Sequence, residues 1–224
     1  MTSPDFIWVI LAAGGSTRLG QPKQLLSLGG KTLIEHQIDT LFATGLPICV
    51  MSGATDFNDL IHQQYHHLML PTAGQKTTPE KPYPALQIIH NKDWQAGMGA
   101  SVIMAQQSFP SSHIGWVLVD QYAITSKQAL DFYRTWQQTQ SPVLVSRYDS
   151  ELGNDHSAWG VPVITHKHLM AQAPIPERGL KPWLLANHQK VKLQFYAWPE
   201  ASMDIDTPTQ WQSIQQQENW HVDP

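Results

Sequence analysis

A fully apolar segment that runs directly into small residues is the feature that most limits how this chain can fold. The segment Phe6–Leu11 is apolar at every position, and Ala12, Ala13, Gly14 and Gly15 follow it without a gap. Such a run predicts a strand that is buried on both faces of a sheet. A glycine-rich loop then lies at the carboxyl end of that strand.

Strands and helices alternate along the chain, which predicts one α/β domain over residues 1–224 with a largely parallel sheet. Residues 71–84 contain four prolines and are predicted to form a surface loop. Capping boxes mark helices that begin after Thr32, Thr125 and Thr207. The first of these helices ends near Gly45 and the second near Gln138. The other predicted elements are strands at Ile48–Met51, Leu86–His90, Trp116–Val119, Val143–Val145, Val161–Ile164 and Leu193–Tyr196, and helices at Asp56–Tyr65, Met98–Phe109 and Leu180–Asn187.

Composition and charge exclude several classes of protein. Fourteen Lys and Arg residues stand against 18 Asp and Glu residues, a formal charge of −4 that argues against a nucleic-acid or anionic-membrane surface. The single cysteine, Cys49, excludes an intrachain disulfide and favours a buried, inert thiol. No apolar run approaches the length of a membrane span, and the first residues lack a targeting pattern. We therefore expect a cytoplasmic protein.

The loop after the first strand combines glycines with two cations, Arg18 and Lys23. Glycine lets backbone N–H groups approach phosphate oxygens, Arg can donate to two of them, and Lys acts as a point charge. The loop lacks the Lys-Ser/Thr pair of a Walker A motif and the third glycine of a dinucleotide-binding fingerprint. These residues predict a phosphate site, and a plain glycine turn with two solvated cations is the alternative.

Aspartates stand at two further junctions between elements. Asp120 follows a predicted strand, and Asp204 and Asp206 precede the last helix. Magnesium prefers one or two carboxylates completed by water and phosphate oxygens, and aspartates at two separate junctions are compatible with that chemistry. An Asp that only caps a helix is the alternative. The 11 histidines show no metalloprotease spacing, and one cysteine does not support a mixed zinc site.

The segment LAAGGSTRLGQPKQLL, residues 11–26, resembles the signature loop of the MobA-like nucleotidyltransferases. Further similarity follows in the same order at residues 91–94, 97–101, 120, 160–163 and 204–208. Within that family the LAAG pattern, with its second alanine at Ala13, resembles the molybdenum cofactor cytidylyltransferase (MocA-like) branch. The resemblance implies a single Rossmann-like, three-layer α/β domain of the nucleotide-diphospho-sugar transferase type.

The resemblance also implies a reaction and a set of site residues. It implies Mg²⁺-dependent transfer of CMP from CTP, or of a nucleotide from another NTP, to a phosphorylated acceptor of the molybdopterin type, with release of pyrophosphate. Arg18, Lys23 and Asp120 would be catalytic. The metal would be held by Asp120 and Asp206, with Asp204 as a nearby alternative. The implied nucleotide-binding residues are Leu11, Ala12, Ala13, Gly14, Gly15, Ser16, Arg18, Lys23, Asn91, Gly97 and Ser101.

Two other functions stay open at this stage. One is a nucleotidyltransferase of the same fold that acts on a sugar phosphate or polyol phosphate. The other is a non-catalytic relative that binds the cofactor or a molybdoenzyme and assists insertion. Tyr122, where the family usually has proline, motivates the non-catalytic reading. The sequence departs from the family pattern at Val161 and at residues 176–181 as well, on the side implied to bind the acceptor.

Overall fold

A computed structural model describes residues 4–69, 86–149, 158–170 and 173–216 of the chain. The predicted loop at residues 71–84 lies outside these ranges. The strands are β1 (Phe6–Leu11), β2 (Ser27–Leu28), β3 (Lys31–Thr32), β4 (Ile48–Ser52), β5 (Leu86–His90), β6 (His113–Leu118), β7 (Val143–Arg147), β8 (Trp159–Thr165) and β9 (Leu193–Ala197). The α-helices are α1 (Leu33–Phe42), α2 (Asn58–Tyr65), α3 (Met98–Ser108), α4 (Ser126–Thr139), α5 (Lys167–Met170), α6 (Leu180–Asn187) and α7 (Pro208–Gln215).

Seven of these strands form one sheet in the order β5-β4-β1-β6-β8-β7-β9. The pairs β5-β4, β4-β1, β1-β6 and β7-β9 are parallel, whereas β8 is antiparallel to both β6 and β7. The prediction of a mostly parallel α/β sheet is confirmed. The single reversed strand was not foreseen, because an apolar run reveals a strand but not its direction.

Helices cover both faces of the sheet and give a three-layer arrangement. The helices α1, α2, α4 and α7 pack in one apolar cluster, and α3 and α6 pack in the other. Because successive strand residues point to opposite faces, β1 contributes to both clusters. Its alternating side chains are Phe6, Trp8 and Ile10 on one face and Ile7, Val9 and Leu11 on the other.

Local sequence signals explain where the helices begin. Thr32, Thr125 and Thr207 each accept a hydrogen bond from the backbone N–H three residues later, and the side chain at that position bonds back to the cap. All three predicted capping boxes are therefore confirmed. The predicted strands and helices are also present, with ends that differ by a few residues. A small hairpin of β2 and β3, which sequence patterns did not reveal, precedes α1.

The direction of the strands determines which loops can meet. β1 and β6 are parallel neighbours paired from Phe6 with His113 to Leu11 with Leu118, so their carboxyl ends lie side by side. The loop at residues 12–23 and the turn containing Asp120 therefore share one edge of the sheet, as the sequence predicts.

In the described part of the chain, no helix has the length and apolar character needed to cross a membrane.

A group of histidines lies around His113, the first residue of β6, at the end of the sheet opposite the glycine loop. The His113 ring lies 4.2 Å from the His166 ring, centroid to centroid, and its Nδ1 accepts a hydrogen bond from the Lys167 backbone N–H. Burial, with His166 nearby, lowers the pKa of His113 to about 4, although Asp5 acts in the other direction and Lys167 and His168 add to the lowering. His113 is thus neutral in the native protein at pH 7.

The neutral state of His113 predicts acid sensitivity. The native pKa is about 4 against an ordinary 6.5, so the unfolded chain binds the proton more readily and stability falls as the pH drops from 6.5 to about 4. The loss is at most about 3 kcal/mol. We expect the melting temperature of His113→Asn to depend less steeply on pH in this window than that of the wild type. His62→Asn, at an exposed position on α2, is the control, and an unchanged slope in His113→Asn would contradict the assignment.

Candidate functional site

A buried glutamine helps to fix the shape of the loop that follows β1. The Gln24 side chain donates from Nε2 to the carbonyl oxygens of Ala12, at 2.6 Å, and Gly14, at 2.9 Å. The Ser16 hydroxyl accepts a hydrogen bond from the Lys23 backbone N–H at 3.0 Å. These contacts tie the two ends of the loop together. Gly14 and Gly15 are left exposed on its outer side.

Lys23 connects this loop to two aspartates from distant parts of the sequence. Its Nζ lies 2.6 Å from Asp120 Oδ2 and 2.5 Å from Asp206 Oδ1. Arg18 also pairs with Asp206, with 2.7 Å between Nη2 and Oδ2. The cations and carboxylates that the sequence predicts as a phosphate site and a metal site are therefore adjacent, and they compensate one another's charge.

The pKa values follow from this arrangement. Burial acts to lower the pKa of Lys23, but the carboxylates of Asp120 and Asp206 outweigh it and raise the pKa. Burial acts to raise the pKa of Asp206, yet Lys23 and Arg18 bring it below its ordinary value. The pKa of Asp204 is raised by burial and by the negative charges of Asp120 and Asp206. Asp204 is thus the carboxylate of the three that most lacks a compensating cation.

The three aspartates form a group that suits a divalent cation. One carboxylate oxygen from each of Asp120, Asp204 and Asp206 lies within 4.8 Å of the others. Hard oxygen donors are the ligands that Mg²⁺ and Mn²⁺ prefer, and the exposed side leaves room for water or phosphate oxygens. Within the described ranges, this triad is the one cluster of His, Cys, Asp and Glu side chains with such spacing.

A cavity of about 470 Å³ opens beside these groups, and we call it the strand-end cavity. Its walls come from the loop after β1, the turn after β6, the start of α3 and the segment before α7. They contain nearly all of the residues singled out in the sequence, namely Leu11, Ala12, Ala13, Gly14, Gly15, Ser16, Arg18, Lys23, Gly97, Ser101, Asp120, Asp204 and Asp206.

Asn91 is the predicted residue that the structure places outside the cavity wall. Its side chain is fully buried, donates to the Ser101 hydroxyl at 2.9 Å and accepts from the Asp93 backbone N–H at 2.9 Å. Asn91 thereby orients Ser101, which does line the cavity. Direct contact between Asn91 and a nucleotide does not follow from this geometry.

Gln121 explains how the turn after β6 holds its shape without the usual proline. Its side chain is 1% exposed. Its Oε1 accepts from the Leu118 N–H, and its Nε2 donates to the carbonyl oxygens of Val161 and Ala201, both at 2.6 Å. This buried amide connects the Asp120 turn to β8 and to the segment that carries Asp204. Residues 121–122 depart from the family pattern, and the hydrogen bonds of Gln121 hold this turn in place.

Three residues of this site were missed or left open by sequence reasoning. Gln24 and Gln121 had no motif to mark them, since a buried amide shows no periodicity. Trp94 belongs to residues 91–94, one of the stretches that carry the family resemblance, and in the structure it lines the cavity. Its ring packs on Gly15, where an added Cβ would lie 3.2 Å from Cζ3. A side chain at Gly15 would therefore crowd this wall.

Comparison with known proteins agrees with the fold of the chain. The family model of the MobA-like NTP transferase domain matches residues 8–191. A solved structure of a nucleotidyl transferase from Methanothermobacter thermautotroptrophicus superposes with a TM-score of 0.70 at 18% identity, covering 93% of this chain and 95% of that one. At this identity the likeness concerns the fold.

Two curated relatives match over shorter stretches. Nicotine blue oxidoreductase from Paenarthrobacter nicotinovorans is 30% identical over 121 residues, which are 53% of this chain and 50% of that protein. The 2-C-methyl-D-erythritol 4-phosphate cytidylyltransferase from Alteromonas mediterranea is 56% identical over 43 residues, 18% of each protein. The matched part thus spans half of the first relative and less than a fifth of the second.

The contacts of Lys23 predict competition between its ammonium group and a divalent cation. Because Lys23 occupies oxygens of Asp120 and Asp206, Lys23→Met should bind Mn²⁺ in the absence of nucleotide on the order of tenfold more tightly than the wild type. Titration followed by the electron paramagnetic resonance signal of free Mn²⁺ measures this. The control is Lys31→Met, which breaks an exposed pair with Asp39. Equal Mn²⁺ affinity in Lys23→Met and the wild type would show that the ammonium does not compete.

Proposed function

The chain belongs to the MobA-like NTP transferase family, and from this membership and the geometry of its site we propose that it is a metal-dependent nucleotidyltransferase. The observation that carries the proposal is the meeting of Arg18 and Lys23 with a triad of carboxylates at the wall of one cavity. A nucleoside triphosphate with a bound metal ion needs positive side chains beside its phosphates and carboxylates beside the metal ion. The family match covers residues 8–191, which include the loop, the first aspartate and most of the cavity wall.

The proposed reaction needs positioning and charge compensation rather than a protein nucleophile. A phosphate oxygen of the acceptor attacks the α-phosphorus of the nucleotide, the bond to the bridging oxygen breaks, and pyrophosphate leaves with the electron pair. The exposed Gly14 and Gly15 let the chain approach the triphosphate closely. Arg18 and Lys23 neutralise the charge that develops on the leaving pyrophosphate.

Asp120, Asp204 and Asp206 would hold Mg²⁺, which when bound compensates charge on the α-phosphate. Asp204 has no ion-pair partner among the described residues, and its pKa is raised by burial and by the other two carboxylates. A divalent cation would relieve this repulsion. Lys23 performs part of the same compensation through its ion pairs with Asp120 and Asp206.

CTP and a molybdopterin-type acceptor are the substrates that we propose. The LAAG pattern around Ala13 and the short match to a cytidylyltransferase support CTP. The resemblance through residues 97–101 and 204–208 supports the cofactor as acceptor, with a molybdoenzyme as a further partner. A sugar- or polyol-phosphate acceptor and a non-catalytic, cofactor-binding role are the alternatives. The soluble reaction partners that we propose are consistent with a cytoplasmic enzyme.

Nucleotide selectivity can be measured by thermal stabilisation. A ligand that binds only the native state at 100 times its Kd stabilises by about 2.7 kcal/mol, which for a chain of this size is a rise of about 5 °C or more in melting temperature. We expect the largest rise with CTP and Mg²⁺, a smaller one with GTP, ATP or UTP, and loss of the effect in EDTA. NADPH belongs in the panel because one relative is named an oxidoreductase. A rise with NADPH and none with any triphosphate would overturn the proposal.

Replacing Asp120 should lower turnover strongly while the protein stays folded. Asp120→Asn keeps the size of the side chain but removes a charge from the proposed metal site, so pyrophosphate release should fall by about 100-fold or more. The assay uses CTP, Mg²⁺ and molybdopterin cofactor. Asp131→Asn, at a surface position on α4, is the control and should retain full activity. Wild-type rates in Asp120→Asn would remove this residue from the reaction.

A further inference from the structure

Strand β9 forms one edge of the seven-stranded sheet, and its outer side carries unpaired backbone groups. It pairs in parallel with β7 over its whole length. The Trp198 N–H donates to the Arg147 carbonyl oxygen at 2.7 Å, so the even-numbered residues of β9 face β7. Leu193, Phe195 and Ala197 therefore point their N–H and C=O groups away from the sheet. In the part of the chain that the structure describes, these groups have no hydrogen-bond partner.

The side chains of β9 do not protect this edge. Natural sheets block an open edge with charged side chains, proline or a bulge. β9 has the sequence LQFYA, which contains no charge and no proline, and its ladder with β7 has no bulge. Phe195 at the centre of β9 is 43% exposed, although its ring lies 6.1 Å from the Trp159 ring, centroid to centroid. An open edge with an exposed aromatic residue at its middle is a surface that can pair with another strand.

The charges that flank β9 are of opposite sign at its two ends. Lys190 and Lys192 precede the strand, are exposed and have no ion-pair partner among the described residues. Glu200 follows the strand and is also exposed. Burial and the negative charges of Asp131 and Glu200 raise the pKa of Tyr196, so both carboxylates lie near the carboxyl end of β9. An edge that is basic where it begins and acidic where it ends is complementary to a copy of itself in the antiparallel direction.

From the open edge and these charges we propose that β9 pairs with β9 of a second copy of this chain, in an antiparallel ladder centred on Phe195. This register places Phe195 opposite Phe195 of the second copy and Leu193 opposite Ala197. The backbone groups of all three outward residues are thereby used, in about six hydrogen bonds. The two Phe195 rings form a cross-strand pair on one face of the ladder. The sheets of the two copies join into one sheet across a two-fold axis.

The same register aligns the flanking charges. Lys190 and Lys192 of one copy lie at the end of the ladder where Glu200 of the second copy is located, and the two-fold axis repeats this contact at the other end. In a parallel arrangement, by contrast, like charges would meet at each end. Charge therefore favours the antiparallel direction. An interface built on one strand is small, so we expect a dimer with a Kd in the micromolar range.

Pairing through β9 leaves each nucleotide site complete within one chain. β9 runs in the same direction as β1 and β6, because β8 is antiparallel to both β6 and β7. Its carboxyl end thus lies at the end of the sheet that carries the strand-end cavity, and the chain continues from there to Asp204 and Asp206. In the antiparallel pair, the two strand-end cavities lie at opposite ends of the joined sheet. Monomer and dimer should therefore bind nucleotide alike, and dimer formation does not depend on the nucleotidyl transfer proposed above.

Sedimentation equilibrium of the full chain at about 1–100 μM tests for this dimer. We expect twice the mass of one chain at the upper concentrations. Phe195→Lys sets two like charges opposite each other at the two-fold axis and should weaken the dimer by at least about tenfold. Ile103→Lys adds the same charge at an apolar residue of similar exposure on α3 and should leave the dimer unchanged. If circular dichroism shows that Phe195→Lys does not fold, Ala197→Pro replaces it, because it removes only an outward N–H.

A charge exchange tests the direction of pairing. Glu200→Lys, and separately the double variant Lys190→Glu with Lys192→Glu, should each weaken self-association by about tenfold, because like charges then meet at both ends of the ladder. An equimolar mixture of the two variant chains should recover the wild-type affinity, since opposite charges meet again at both ends. Failure of the mixture to recover the dimer would contradict the antiparallel register.

Two results would overturn the β9 interface altogether. A wild-type chain that stays monomeric over the whole concentration range does not self-associate, and its open edge would then be available to an extended segment of another protein. A dimer that survives both Phe195→Lys and Ala197→Pro pairs through another surface. Loss of the dimer in Phe195→Lys, its retention in Ile103→Lys and its recovery in the charge-exchanged mixture would together support pairing through β9.

Discussion

The ammonium group of Lys23 joins two carboxylates from distant parts of the chain, and the shape of the site depends on this contact. Lys23 Nζ lies 2.6 Å from Asp120 and 2.5 Å from Asp206, which are 97 and 183 residues away in the sequence. Three carboxylates within 4.8 Å of one another would repel strongly without a nearby cation. Lys23 therefore compensates part of this negative charge. A divalent cation can take over this compensation, which would release Lys23 for the phosphates of a nucleotide.

Much of this arrangement could be predicted from the sequence, because it rests on local signals and on one rule of topology. The apolar segment Phe6–Leu11 predicts a strand buried on both faces, and capping boxes predict where α1, α4 and α7 begin. Parallel neighbouring strands bring their carboxyl ends to one edge, so the glycine loop and Asp120 were expected to meet there. The sequence alone showed that Asp204 and Asp206 precede the last helix, whereas their role as metal ligands came from resemblance to a family.

What the sequence could not predict depends on contacts between distant residues. Gln24 and Gln121 each hold a turn through a buried amide, and no spacing or composition marks such a residue beforehand. The direction of β8 is set by its pairing with β6 and β7 and not by its own side chains. Asn91 was expected at the nucleotide but is buried behind Ser101, because a motif gives proximity to a site without saying which atoms face it.

The reversed strand and the paired charges together give one end of the sheet two cavities with chemically different walls. The carboxyl ends of β1 and β6 provide backbone, cations and carboxylates, which suit a triphosphate and its metal. The start of β8 provides the Trp159 ring and a glycine at the same end of the sheet, so this second wall is largely apolar. Since Leu11 and Leu118 belong to both walls, the two cavities border each other at the ends of the same two strands.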